Sequence, residues 1–412
     1  MSADQRVRHA PAPTPELRLR RALGPALEIF LWSRAALWLL ALLAYAWFEP
    51  NRHPRAARWD SALAHELGWA ADVWARWDSS FYLQIAHDGY GAGGTAAFFP
   101  LYPLLVGGTG RVLGGHFVLA GTLVSLAACL GAFLLLARLA ESRLGAEGAR
   151  RTVLYLALFP TSLFLGAVYA ESLLLLLLLG SFLLAERGRW VPAAALAGLA
   201  LLTRPLALAL LPALALIAWR SPARRRALAS LTLAPLLFSF YPLALWLQTG
   251  DALAFAGAQE RWHRALSPLG PLGGALDGLR AGWAGARQLV EGSSGRVFWP
   301  IEDADPMHAA VVNLSSLAWL AVFVALAAVA WRRFGAPYGL FCALSLAIPL
   351  SVPSDRWPLL SLPRFGLAVF PLFLALAALT AGRPRLHTAL TATSAALLGM
   401  SVVQWSLWQW VA

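Results

Sequence analysis

Lysine is absent from this chain. All 33 basic residues are arginines, set against 21 acids, and charged residues make up only 13% of the 412 positions while hydrophobic ones make up 59%. That leaves too little polar surface to coat a soluble globule, so a water-soluble enzyme is excluded. The net charge of +12 is spread as short arginine clusters between apolar runs. This is a topology pattern and not a polyanion groove, so nucleic acid is not an expected partner. Exclusive use of arginine, together with richness in Ala, Leu and Gly, reads as compositional bias and carries no function. Cysteine is nearly missing too: Cys129 and Cys342 lie inside apolar runs without metal-ligand spacing and read as small buried hydrophobes. Neither an internal repeat nor a soluble segment with its own core is visible.

What is abundant is apolar sequence in runs long enough to cross a hydrocarbon layer of roughly 30 Å, recurring from end to end. The chain therefore reads as all-α and polytopic, an integral membrane protein. The first run, Leu27 to Phe48, is too long for a signal-peptide core and has no small-residue cleavage pattern after it, so it reads as a mature helix. Residues 1–24 carry Arg6, Arg8, Arg18, Arg20 and Arg21 among prolines and read as a cytoplasmic basic arm; residues 25–412 form a single transmembrane domain. Cytoplasmic clusters are expected at Arg138 to Arg151, Glu186 to Arg189, Arg220 to Arg226, Arg332-Arg333 and Arg383 to Arg385. Threading between them gives about eleven spans: 27–48, 117–137, 152–168, 171–185, 191–203, 205–219, 227–248, 309–331, 337–352, 365–381 and 386–410. Most arginines then fall inside and most acids outside, as the positive-inside rule expects. External segments are expected at about 49–116, 249–306 and 353–364. The spans over 152–203 are short, so Tyr169-Ala170-Glu171 and Thr203-Arg204-Pro205 mark tight external turns or helix breaks. Irregular backbone at that depth implies a cavity opening outward.

The external segments hold the residues that chemistry needs. Asp78 lies between Trp77 and the aromatics Phe81 and Tyr82, at interface depth. A partly desolvated carboxylate there can take a proton from an attacking hydroxyl. Asp78 also reads as the N-cap of a helix starting at Ser79-Ser80, and the two roles are compatible. His65, Glu66, Asp72, His87 and Asp88 form a second rank, read mainly as solvated. A divalent metal on Asp72, Asp78 and Asp88 is possible but not favoured, because the spacing guarantees too few oxygen ligands; no cofactor is expected. Glu171 begins a leucine run, where an acid suits the helix dipole. Arg204, in an apolar hairpin, needs an anion: a phosphate, or Glu171 in a structural pair. Arg364 poses the same question, and Arg261, Arg356 and Arg364 together outline an external phosphate pocket. Arg34, inside the first span, either snorkels inward or has a partner the sequence does not identify. Most of the 19 tryptophans read as interfacial belt, with Trp262 and Trp357 placed to stack on a sugar.

Arg76-Trp77-Asp78 through Gly89-Tyr90, and then Ala97-Phe98-Phe99-Pro100-Leu101-Tyr102-Pro103, resemble the signature of PIG-V-type mannosyltransferases. Tyr169-Ala170-Glu171-Ser172, Gly250-Asp251 with Gln259 and Trp262, and Ser361-Leu362-Pro363-Arg364-Phe365 follow in family order. The resemblance implies a GT-C fold and an inverting mannosyltransferase. Such an enzyme moves a sugar from a polyprenyl-phosphate donor to an acceptor hydroxyl on a lipid, glycan or protein at the extracytoplasmic face. It makes Asp78 the catalytic base and Arg76, Trp77, Tyr82, Glu171, Arg204, Gln259, Trp262 and Arg364 the substrate-binding set, with Arg204 and Arg364 on the phosphate. The chain departs from the family in lacking an acid between Gly91 and Thr95 and in continuing from Pro205 as Leu206-Ala207, which implies a divergent member in a prokaryotic plasma membrane. The rival readings are a lipid or solute transporter or flippase, with Arg34, Glu171 and Arg204 lining its path, and an inactive scaffold subunit of a glycosylation complex.

Overall fold

The computed structural model describes residues 15–50, 60–91, 95–292, 298–299 and 305–411. The first 14 residues of the expected basic arm, part of the Gly91–Thr95 departure, and Glu302-Asp303 of the second external segment lie outside the described residues. From Pro15 onward the chain is already helical.

Among the described residues there is no β-strand, only an isolated antiparallel bridge between Arg264 and Ser354. The principal helices, in chain order, begin with α1 (Pro15–Trp47), α2 (Ser79–Asp88), α3 (Leu101–Val112) and α4 (Phe117–Ala157). They continue with α5 (Glu171–Glu186), α6 (Trp190–Leu201), α7 (Pro205–Trp219, its first turns 3-10) and α8 (Arg224–Thr249). The last six are α9 (Pro271–Glu291), α10 (Pro306–Phe334), α11 (Ala336–Ser351), α12 (Leu362–Gly366), α13 (Phe370–Thr380) and α14 (Pro384–Ser406). Five of them, α1, α4, α8, α10 and α14, are long and apolar enough to cross a membrane, and α6, α7, α11 and α13 are shorter apolar helices. This is an all-helical integral membrane protein; most helix bounds lie within a few residues of the expected runs, but α1 starts at Pro15 and the runs at 117–137 and 152–168 do not form two separate helices.

The run expected at 117–137 and only the start of the one expected at 152–168 form one helical stretch, α4, broken at Gly145, whose backbone turns left-handed (φ 73°, ψ −178°); it ends at Ala157, so the rest of the second run is not α-helix. Gly335 (φ 95°) makes the corresponding turn between α10 and α11. Both are positions where a side chain is strained and glycine is not. The arginine-rich turns meet at this end of the bundle. Arg143 pairs with Glu186, which also accepts a hydrogen bond from Tyr338 Oη at 2.8 Å. Arg151 donates to the Thr380 carbonyl, and Tyr155 Oη hydrogen-bonds Thr380 and His387. These contacts tie the region of α4 around its Gly145 break to the ends of α5 and α13 and the starts of α11 and α14.

Between α4 and α5 the chain runs irregularly from Leu158 to Ala170, with a 3-10 turn at Ser162–Leu165, and residues 159–175 are all buried. Non-helical backbone survives there because protein surrounds it. Arg34 is part of that surround. Its guanidinium neither snorkels nor meets a carboxylate: it donates to Ala157 O (3.1 Å), Ser162 O (2.8 Å) and Ser162 Oγ (2.8 Å). Ala157 is the last residue of α4, where a cation answers the helix dipole, and Ser162 opens the 3-10 turn that follows, its hydroxyl also donating to Ala157 O at 2.8 Å.

The long external segments are less open than their composition suggests. The first contains α2 and α3. Glu66 there accepts from the backbone N–H groups of Phe117 and Val118 at 2.6 and 2.9 Å, capping the start of α4. The second contains α9, a 21-residue helix missed because glycine recurs through it and glycine is a poor helix former.

Candidate active site

The turn before α2 aims one carboxylate. Trp77 adopts a left-handed backbone (φ 54°), rare for a bulky residue. Tyr169 pins it from both sides: its hydroxyl accepts from Asp78 N at 3.1 Å and donates to Arg76 O at 3.2 Å. Ser79 Oγ accepts from Arg76 N and Ser80 Oγ donates to Trp77 O. Asp78 occupies the N-cap position, as expected, but its backbone is helical and its side chain caps nothing. The carboxylate turns instead toward α12, where Arg364 donates to Oδ2 at 2.9 Å.

From that pair a chain of charge extends. Arg364 Nε stands 3.4 Å from Glu171 Oε1, and Arg204 approaches the same oxygen at 3.0 Å. Both Glu171 oxygens nevertheless lack a hydrogen bond of ordinary geometry, so this is a charge contact more than a directed bond. Arg204 also donates to Tyr82 Oη at 3.2 Å. Burial pushes the Tyr82 phenol up to about 12, against the opposing pull of Arg204. It stays protonated at neutral pH, with its own hydrogen left to donate.

These groups surround a cavity of about 510 Å³. Asp78, Tyr82, Arg204, Gln259, Trp262, Arg264 and Arg364 line it, beside an apolar wall from Leu206, Phe238, Phe255, Ile348, Pro349 and Val352. The ends of α6 and α11 and the starts of α7 and α12 all meet here, so the cavity sits at the end of the bundle opposite the arginine turns. With only 16 and 12 residues, α5 and α6 reach about 24 and 18 Å at 1.5 Å per residue, short of a full hydrocarbon layer. The floor of the site is therefore recessed.

Most of the expected residues converge. Glu171 lies one layer behind the wall, bridging two of its arginines. Arg76 and Trp77 do not line the cavity. The Arg76 guanidinium stacks 4.0 Å over the Trp408 ring, and burial holds it down to about 10, partly offset by Asp60, Tyr45 and Asp72. Trp77 packs edge-on against Trp408 and Trp410. Trp262 is wedged against Phe81 and Phe98 with one side on the cavity, whereas Trp357 is only 1% exposed and stacks on Trp299.

The arginine set differs from the expected one. Arg261 lies 5.0 Å over the Phe81 ring, and neither it nor Arg356 lines the cavity. Arg264 does, with its guanidinium donating to Leu360 O at 2.9 Å. Burial, then the like charges of Arg364 and Arg204, hold it down to about 10. Trp410, beyond α14, is a second lining residue that the sequence did not single out.

The second-rank acids have local work. Asp72 Oδ1 accepts from the backbone of Glu66 and Leu67, and Asp88 meets His87 on the surface. Asp72, Asp78 and Asp88 thus face different partners, and among the described residues no three His, Cys, Asp or Glu side chains gather as a metal site.

Among the described residues, left-handed backbone at non-glycine positions occurs at Trp77, His263, Ser361 and Trp408. Trp77 precedes Asp78, His263 precedes Arg264, Ser361 lines the cavity, and Trp408 leads to Trp410. Strained backbone of this kind gathers at sites held for function.

The fold and site define a class: an integral membrane protein with a recessed, charged cavity at one end of its helical bundle. Residues 46–218 match the family model described as Mannosyltransferase (PIG-V), which supports membership of the PIG-V-like mannosyltransferases and, with it, a membrane glycosyltransferase. The matched segment carries Asp78, Tyr82, Glu171 and Arg204; Gln259, Trp262, Arg264 and Arg364 lie beyond it. No curated protein matches the chain.

Proposed function

We propose that this protein is an inverting mannosyltransferase of GT-C type, with about eleven spans. In this reading it draws its sugar from a polyprenyl-phosphate donor and works on the extracytoplasmic face of a prokaryotic plasma membrane. One observation carries the reading: Asp78 shares a cavity with three guanidiniums, and among the described residues that line or back it only Glu171 stands with it against their charge. Three cations against two carboxylates leave one positive charge unanswered in a confined space, and a phosphate answers it. The apolar wall supplies a berth for the prenyl chain, which a nucleotide donor would not need.

The reaction follows from this placement. The acceptor hydroxyl gives its proton to Asp78 as its oxygen attacks the anomeric carbon. The bond from that carbon to the phosphate oxygen breaks, and the electron pair leaves with the polyprenyl phosphate. Arg204 and Arg264 hold the charge that develops there, so the leaving group needs no proton. Gln259 and Trp262 hold the sugar, and Glu171 orients Arg204 and Arg364. No metal is part of this scheme.

The test is transfer by membrane fractions supplied with radiolabelled polyprenyl-phosphate mannose or with nucleotide-activated mannose, each with and without chelator. Transfer from the lipid donor, unaffected by chelator, is the expected result. Transfer from the nucleotide donor alone overturns the donor assignment, and loss restored by a divalent ion overturns the metal-free scheme.

A further inference from the structure

α9 presents three faces along its length. At 100° per residue, Gly274, Gly278, Ala281, Gly282 and Gly285 fall on one side, and all are buried. A Cβ on Gly274 would stand 2.1 Å from Leu350 O, and one on Gly285 would stand 2.6 Å from Ala310 O. The helix backbone therefore lies directly on α10 and α11. The opposite side carries Leu272, Leu276, Leu279, Trp283 and Val290, from 46% to 87% exposed. Between them runs a charged flank, Asp277, Arg280, Arg287 and Glu291. Its charges are paired within the helix, Arg280 to Asp277 at 2.8 Å and Arg287 to Glu291 at 2.9 Å.

A large apolar face with Trp at its centre does not persist in water without an occupant. The surroundings indicate which one. α9 meets α10 at Ala310 and Leu317, in the first half of that helix, and α11 in its last turn. Both contacts lie toward the cavity-bearing end of the bundle, on α10, which is long and apolar enough to cross a membrane, and on the shorter apolar α11. On α10, Val311 and Val322 are also exposed apolar residues. A separate charged flank beside the apolar face is the pattern of a helix lying in a bilayer interface.

We infer that α9 is an interfacial helix whose Leu272–Leu276–Leu279–Trp283 face rests among the acyl chains of the leaflet at the cavity end, with its charged flank turned to water. The occupant is the bilayer itself, and the segment between α8 and α10 is embedded and not an aqueous loop. This does not rest on the transferase reading.

The experiment uses the full chain in phosphatidylcholine liposomes, with single cysteines introduced by Leu276→Cys, Trp283→Cys or Arg280→Cys. Cys129 and Cys342 are buried and serve as the unlabelled background. A fluorophore at Leu276→Cys or Trp283→Cys is expected to be quenched by lipid carrying a nitroxide near the top of its acyl chain. Both positions should react about tenfold more slowly with a membrane-impermeant maleimide than Arg280→Cys. Fast labelling without lipid quenching places the face in water and overturns the inference. Slow labelling without quenching places it against protein and overturns it equally. Leu279→Cys repeats the measurement if either variant fails to fold.

Discussion

The site turns on one residue held by another's hydroxyl. Tyr169 Oη bridges Arg76 O and Asp78 N across the left-handed Trp77. Without that bridge the turn can relax and the Asp78 carboxylate loses its aim. Tyr169→Phe is expected to lower kcat about tenfold while leaving the donor KM unchanged; a matched rise in KM would make Tyr169 a binding residue instead. The arginines separate in the same assay. Arg204→Ala and Arg264→Ala should raise the donor KM by about tenfold or more, as loss of a charged hydrogen bond does, while Arg261→Ala and Arg356→Ala should leave it near wild type. Asp78, Glu171, Arg204 and Arg364 were legible in the sequence because a charge in an apolar setting declares itself. Arg264 was not. It lies three residues after Arg261 in the same polar stretch, and nothing in residue type shows which side chain points inward.

At the scale of the element, the long runs were legible because hydrophobic length is a strong signal. The expected bounds for α5, α6, α7, α11 and α14 agree with the structure to within a few residues. What escaped were helices whose stability comes from packing. α9 is glycine-rich, yet those glycines let its backbone rest on α10 and α11, an advantage composition does not reveal. Gly274→Ala is expected to lower stability by about 1–3 kcal/mol through overpacking against Leu350 O. Gly257→Ala has open space and should change it by less than about 0.5 kcal/mol. Thermal unfolding in detergent distinguishes the two, and equal effects would mean that α9 is not seated as described. Arg34 shows the same limit: its partners are the Ala157 carbonyl and the carbonyl and hydroxyl of Ser162, neutral groups that no pattern of charges could announce.

For the whole molecule, the arginine clusters and the cavity mark opposite ends of one bundle. In the proposed topology the arginine end faces the cytoplasm, as the positive-inside rule expects. Cysteine at exposed Arg225 should then be shielded from an impermeant maleimide on intact cells, and cysteine at exposed Asp355 should react; labelling of both from one side would break the topology. The sequence placed these ends correctly relative to each other. The short spans also implied a cavity opening outward, but nothing in the sequence showed that Trp410, after α14, lines it. The central claim is that Asp78 takes the acceptor's proton, and the most direct measurement pairs donor binding with sugar transfer in Asp78→Asn. Asparagine can still accept from Arg364, so thermal unfolding is followed alongside to register any loss from a weakened buried pair. The account predicts polyprenyl-phosphate mannose bound within about threefold of wild type and transfer reduced at least about a hundredfold. Transfer at the wild-type rate with a folded, donor-bound Asp78→Asn enzyme would contradict it.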